Sequence, residues 1–211
     1  MASMQIQSLL IGNIMTNCYL LMNSDTKELL IVDPADQAAL IKKRIAEMGG
    51  TPVAILLTHG HFDHMLAADE LRKEYACPVC AHVKEEPVLE NPMINLSGAW
   101  GTGMSLKADR LFYDDEKVEL AGFTFQVLHT PGHTPGSCCF YFPEEQVLIS
   151  GDTLFQGSCG RTDFPSSSMS DMMESLRRLA GELPDETAVY PGHNASTTIR
   201  DEKRWNPFIP R

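Results

Sequence analysis

Thr58-His59-Gly60-His61-Phe62-Asp63-His64 sets three imidazoles and a carboxylate within six positions, directly after the apolar run Val53-Ala54-Ile55-Leu56-Leu57. Four such groups at the end of a buried strand are costly to desolvate unless a cation holds them, because buried polar groups need partners. The chain is therefore expected to close a strand end around a metal, with hydrolysis as the natural chemistry.

The surrounding pattern says which architecture can do this. Apolar runs at Met4 to Ile11, Cys18 to Met22 and Leu29 to Val32 read as an opening meander of strands, separated by the turn signals Gly12-Asn13 and Asn23-Ser24-Asp25. Ala38 to Met48 has helical spacing and stops at Gly49-Gly50. Val53 to Leu57 is then a buried strand, and Met65 to Tyr75 a helix, so the histidine cluster lies on a strand-to-helix loop. A short strand is expected from Pro78 to His82. Further strands are expected at Val118 to Leu120, Phe123 to Leu128, Ser137 to Phe142, Val147 to Ser150 and Thr187 to Tyr190, with a helix over Met169 to Leu179. Strands followed by helix, strand and helix thus occur roughly twice, which suggests two mixed sheets packed face to face with helices outside. Asn91 to Lys107 is a long Gly-containing loop that also carries Met93, Leu96 and Trp100, and is a lid or contact segment.

Three more segments each present ligand types just past an apolar strand: His129-Thr130-Pro131-Gly132-His133-Thr134-Pro135-Gly136, Ser150-Gly151-Asp152-Thr153 and Tyr190-Pro191-Gly192-His193. Gly or Pro after each strand lets the backbone turn sharply and aim these side chains at one place.

This ordered set resembles the metallo-β-lactamase-fold hydrolases, and among them the small hydroxyacylglutathione hydrolase (glyoxalase II)-like branch. The likeness runs from Val32-Asp33-Pro34 through Pro191-Gly192-His193. It implies an α/β fold, a four-layer αβ/βα sandwich of two mixed β-sheets, with a dinuclear metal centre at one edge. Carried over by position, His59, His61 and His133 would hold one ion, and Asp63, His64 and His193 the other. Asp152 would bridge them, making Asp63 and Asp152 the catalytic carboxylates. Asp33 resembles a residue that ties down the ligand loop, with a turn-forming Asp-Pro as its plainer reading. Arg161, in Gly160-Arg161-Thr162-Asp163-Phe164, would pair with Asp163 or grip a substrate carboxylate. His82 and His129 are read as structural.

Imidazole and carboxylate donors without thiolate suit two divalent ions, zinc first, with iron or manganese also compatible. Such ions lower the pKa of bound water to about 7, so the implied reaction is cleavage of a small thioester by metal-held hydroxide. A thiolate leaves without a dedicated acid, whereas an amide would require one. The alternative on the same fold is a mononuclear iron persulfide dioxygenase, which shares the Gly-Arg-Thr-Asp-Phe stretch. Full-length glyoxalase II enzymes add a C-terminal helical region with glutathione contacts. Nothing like it follows His193, so one domain over 4–211 is expected, with the thiol half of the substrate undetermined. Arg200, Lys203 and Arg204 belong to a charged helix at the tail.

A net charge of −11 over 211 residues opposes nucleic acid and anionic lipid as partners, leaving a small thioester. No apolar stretch reaches the roughly 20 residues of a membrane span, and the N-terminus has no basic-then-apolar segment, so a cytoplasmic protein is expected. The six cysteines lack disulfide spacing, and the lone Cys77-Pro78-Val79-Cys80 reads as ordinary core.

Overall fold

A computed structural model describes residues 3–209; the last two positions of the expected 4–211 domain lie outside the described residues. One six-stranded sheet follows chain order: β1 (Met4–Ile11), β2 (Thr16–Asn23), β3 (Glu28–Val32), β4 (Thr51–Leu56), β5 (Val79–His82) and β6 (Arg110–Phe112). The meander β1–β3 is antiparallel, and β3 through β6 pair in parallel. Parallel pairing requires crossovers. Helix α1 (Ala38–Met48) makes the first, and α2 (Phe62–Met65) with α3 (Ala68–Tyr75) the second. Between β5 and β6 lie a 3₁₀ turn (Val83–Glu85), helix α4 (Glu86–Glu90) and the loop 91–107.

The second sheet contains β7 (Lys117–Leu120), β8 (Phe123–His129), β9 (Cys138–Phe142) and β10 (Val147–Gly151). After the hairpin β11 (Leu154–Phe155) and β12 (Ser158–Cys159), helix α5 (Met169–Glu182) leads to β13 (Ala188–Pro191) and β14 (Thr197–Thr198), before α6 (Ile199–Trp205). Its spatial order is β14-β13-β10-β9-β8-β7, antiparallel except for the parallel pair β10–β13.

Three apolar cores separate four layers. Ile31, Ile55 and Leu57 pack with Ile41, Ile45 and Leu71 of the helices on the outer face of the first sheet. Leu21, Leu30 and Leu56 meet Phe125, Phe140 and Ile149 between the two sheets. Leu128, Leu148 and Val189 meet Met172, Leu176 and Leu179 beneath α5. With both faces buried, β2 is covered along its whole length, as its continuous apolar run requires. The four-layer αβ/βα sandwich is the observed fold.

Several local expectations change. The helix expected over Met65 to Tyr75 begins at Phe62 and is broken at Leu66-Ala67. The break has a cause, since the Ala67 N–H donates to the Pro34 carbonyl, 3.0 Å away. The loop 91–107 is pinned from within: buried Asn95 donates to the carbonyls of Leu89 and Met104, and Phe62 N–H donates to the Asn95 carbonyl at 2.9 Å. Cys77 packs in the outer core and Cys80 in the core between the sheets, and burial pushes Cys80 up to about 12. They are core residues that face opposite sides of the sheet. At the tail, Lys203 pairs with Asp185 at 2.6 Å and Arg200 with Glu186.

Candidate metal centre

The strand ends β4, β8, β10 and β13 converge at one edge of the sandwich, and backbone bonds hold the segments beyond them together. Cys138 N–H donates to the Thr58 carbonyl at 2.9 Å, and Asn17 N–H to the Gly192 carbonyl at 2.7 Å. Tyr19 Oη and Asn17 Nδ2 both donate to the Pro191 carbonyl, at 2.6 and 3.0 Å.

All seven residues expected as ligands meet there. His59, His61 and His133 bring one donor atom each within 4.8 Å of one another, as do Asp63, His64 and His193; His59, His64 and Asp152 form a linking group of the same size. Asp152 reaches both sides. Its Oδ1 lies 3.4 Å from His64 Nε2, and its Oδ2 lies 3.4 Å from His133 Nε2 and 3.6 Å from His193 Nε2. Gly192 permits this approach, because a Cβ at that position would stand 2.3 Å from Asp152 Oδ1.

Outer hydrogen bonds decide which imidazole nitrogen faces the centre. His64 Nδ1 donates to Asp33 at 3.0 Å, His133 Nδ1 to the Arg161 carbonyl at 2.8 Å, and His193 Nδ1 to the Met15 carbonyl at 3.4 Å. His59 Nδ1 meets Thr58 Oγ1 at 3.2 Å. Each of these four leaves Nε2 pointing inward. His61 is turned the other way, with Nδ1 2.8 Å from His133 Nε2.

The donor set fits divalent cations. His59 Nε2, His64 Nε2 and Asp152 Oδ1 face the cluster buried and with no hydrogen-bond partner, a state that is expensive unless a metal satisfies it. Burial and neighbouring imidazoles hold His59 and His61 well below the usual histidine value, so both offer neutral lone pairs. At His64 burial opposes charge, but Asp152, Asp63 and Asp33 overcome it and push it up to about 10 in the metal-free chain. Burial also opposes charge on Asp63, yet His64, His193 and His61 hold its carboxyl well below the usual range. The linked trios therefore attract positive charge and release protons on binding it.

Asp33 sits behind the cluster, where it accepts from Thr58 N–H at 2.8 Å and Thr58 Oγ1 at 2.6 Å as well as from His64. Arg161 forms a two-bond pair with Asp163, at 2.8 and 2.7 Å, at the cleft mouth. Sequence reasoning missed Glu85. Its fully buried carboxylate accepts from Gly60 N–H at 2.7 Å through one oxygen, and from Gly136 N–H and Thr134 Oγ1, both at 2.8 Å, through the other. Burial pushes Glu85 up to about 8, although all three donors pull it back. It thus clasps the loop of His59 and His61 to that of His133.

Helix α5 supports the same loop. Ser175 Oγ donates to the Pro131 carbonyl at 2.7 Å, and Ser168 N–H to the Gly132 carbonyl at 2.8 Å. Gly132 has φ +142°, and a Cβ there would lie 2.5 Å from Met172 Cα. Gly132→Ala is expected to destabilise the fold by about 1–3 kcal/mol, the usual cost of overpacking. Urea unfolding would measure it, and an unchanged midpoint would contradict this packing.

His82 stacks on His129 with centroids 4.3 Å apart and planes 11° from parallel, and His129 Nε2 donates to the Pro135 carbonyl at 2.9 Å. Burial, then His129 and Lys84, push His82 down to about 4, against the opposing pull of Asp114. The unfolded chain binds a proton at His82 below 6.5, which the native chain refuses until about pH 4. Its contribution to stability is full above pH 6.5 and is lost as pH falls toward 4. His82→Asn should lose less stability than the unaltered chain between pH 7.5 and 5 in urea titrations. Equal losses would place the acid sensitivity elsewhere.

Comparison with known proteins agrees with this geometry. Over 209 residues the chain is 35 % identical to the hydroxyacylglutathione hydrolase GloC of Haemophilus influenzae, covering 98 % of each. The structure of BLEG-1, a B3 metallo-beta-lactamase, superposes with a TM-score of 0.92 at 40 % identity, over 98 % of this chain and 100 % of that one. TTHA1623, solved in a di-iron-bound form, superposes with a TM-score of 0.84 at 37 % identity, over 96 % and 100 %. Residues 11–193 match the family model of the metallo-beta-lactamase superfamily, and the chain belongs to that superfamily.

Proposed function

We propose that this metallo-hydrolase cleaves a small thioester at a centre of two divalent ions. The observation that carries the reading is Asp152, which reaches both trios of donors beside an open cleft of about 560 Å³. When bound, two such ions would polarise the substrate carbonyl and lower the pKa of water to about 7.

The chain's own residues do the rest. His59, His61 and His133 would hold one ion, Asp63, His64 and His193 the other, and Asp152 both. Asp33 and the carbonyl of Arg161 keep His64 and His133 in the tautomer that presents Nε2. Thr16 Oγ1 donates to Asp63 Oδ2 at 3.0 Å and fixes that carboxylate. Apart from the donors of the two trios and Asp152, no His, Asp, Glu, Tyr or Lys among the described residues lines the cleft to protonate a leaving group. A thiolate, whose pKa is about 8.5, departs without one, which favours thioesters over amides. Similarity to GloC supports the same choice.

Zinc is the first metal to test, and iron the second, given the di-iron relative. Free cysteines suit a reducing compartment, and we assign the chain to the cytoplasm with a small-molecule partner. No helix among the described residues is long and apolar enough to cross a membrane.

Loaded protein should hydrolyse lactoylglutathione or another acyl thioester, followed by thiol release. A penicillin and glutathione persulfide belong in the same experiment. Turnover of the β-lactam alone, or oxygen uptake with the persulfide and no thioester cleavage, would overturn the assignment.

A further inference from the structure

Around His133 and His193 the cleft mixes polar donors with two rings, Phe164 with its centroid 5.7 Å from that of His133 and Phe155 6.1 Å from that of His193. From Asp63 outward its wall is Ile14, Phe62, Leu96 and Trp100. Phe62 and Trp100 lie with ring centroids 5.3 Å apart, and Trp100 is 58 % exposed, so an indole face remains available to a ligand. This wall is preformed, because buried Asn95 pins the loop that supplies Leu96 and Trp100, and its carbonyl accepts from Phe62 N–H. Among the described residues Arg161 is the only Lys or Arg of the lining; it stands over the Phe164 ring and pairs with Asp163, and the Ile14–Trp100 wall itself carries no cation.

Thiol carriers are polar and commonly anionic, so a wall without a free cation gives their carboxylates or phosphates nothing to pair with. An apolar acyl group, in contrast, gains by leaving water against aliphatic and aromatic surface. We propose that this wall is an acyl-selecting subsite, which seats an apolar acyl chain between Ile14, Leu96 and Trp100 while the thiol half points to solvent. The proposal rests on the thioester reading and narrows it to apolar acyl groups over short hydroxyacyl ones.

The test uses thioesters of one uncharged thiol, N-acetylcysteamine, with acetyl, butanoyl, hexanoyl and lactoyl groups. Each added methylene should raise kcat/KM by about threefold to fourfold while the wall has room. Hexanoyl should exceed both acetyl and lactoyl by about tenfold or more, chiefly through KM. Trp100→Ala should flatten this ladder with metal content unchanged, and its exposed position makes misfolding no explanation. A binding arm separates this proposal from the reaction assignment. In a Trp205→Phe background Trp100 is the sole tryptophan, and its emission should shift with a non-hydrolysable hexyl ketone analogue at concentrations where the methyl ketone has no effect. That shift without any thioester turnover would uphold the subsite and sink the hydrolase reading. Turnover with a flat ladder, a lactoyl preference, or an unchanged ladder in Trp100→Ala would overturn the subsite.

Discussion

Asp152→Ala is expected to lower kcat/KM by about a hundredfold to a thousandfold, the scale seen when a charge-stabilising group at a reacting centre is removed. The size follows from position. Oδ1 faces His64, and Oδ2 faces both His133 and His193, so one truncation removes a donor from each ion and the negative charge between them. Asp152 also supports charge on buried His64, so the truncated protein without metal should unfold at a somewhat lower urea concentration than the parent. The expected pattern is therefore lost turnover and lost metal in a protein that still folds cooperatively. Asp152→Asn, which keeps the volume and one acceptor, should retain more metal than Ala but little activity. Full activity in either variant would move the chemistry elsewhere.

The second large effect belongs to a residue outside the ligand set. Glu85→Gln should weaken metal binding at His59, His61 and His133 by about 10–100-fold, the usual cost of removing a residue that orients ligands. Both Glu85 oxygens accept from backbone N–H groups, one from Gly60 and the other from Gly136. A carboxamide has only one acceptor oxygen, so its NH₂ must face one of those N–H donors. The loop of His59 and His61 then loses its tie to the loop of His133, while Asp63, His64 and His193 keep theirs. Competition with a chelator should show one ion released early and the other held with near-normal affinity. Equal weakening of both ions, or of neither, would contradict the clasp.

The contrast between these two residues shows what was legible in the chain. Asp152 stands just past an apolar strand and beside a glycine, as do His59, His133 and His193 past their strands, so local pattern alone marks all four positions. Convergence of the strand ends was legible in the Gly or Pro that follows each strand, and the layering in the repeated order of strands and helices. Glu85 has no such mark. It sits in Val83-Lys84-Glu85-Glu86, which looks like an ordinary polar stretch, and its partners lie 25 and 51 residues away. Only tertiary structure turns that side chain inward.

Other details were hidden for similar reasons. The break between α2 and α3 depends on a hydrogen bond to Pro34, and the order of the loop 91–107 depends on Asn95 reaching Leu89 and Met104. Neither contact leaves a periodicity. Arg161 could be read two ways from sequence; in the structure its guanidinium pairs with Asp163, while its carbonyl fixes His133. The helix at the tail was expected. Arg200 and Lys203 pair with Glu186 and Asp185 at the surface, and neither lines the cleft where an anionic substrate would sit.

Two trios of donors joined by Asp152 are expected to act as one dinuclear hydrolytic centre. Elemental analysis of chelator-stripped protein, reloaded with zinc or iron and assayed for thioester hydrolysis at each step, decides this. The expected result is two ions per chain, with turnover that follows occupancy and disappears on stripping. Fewer than one ion per chain after loading, or turnover that persists in the stripped protein, would contradict it.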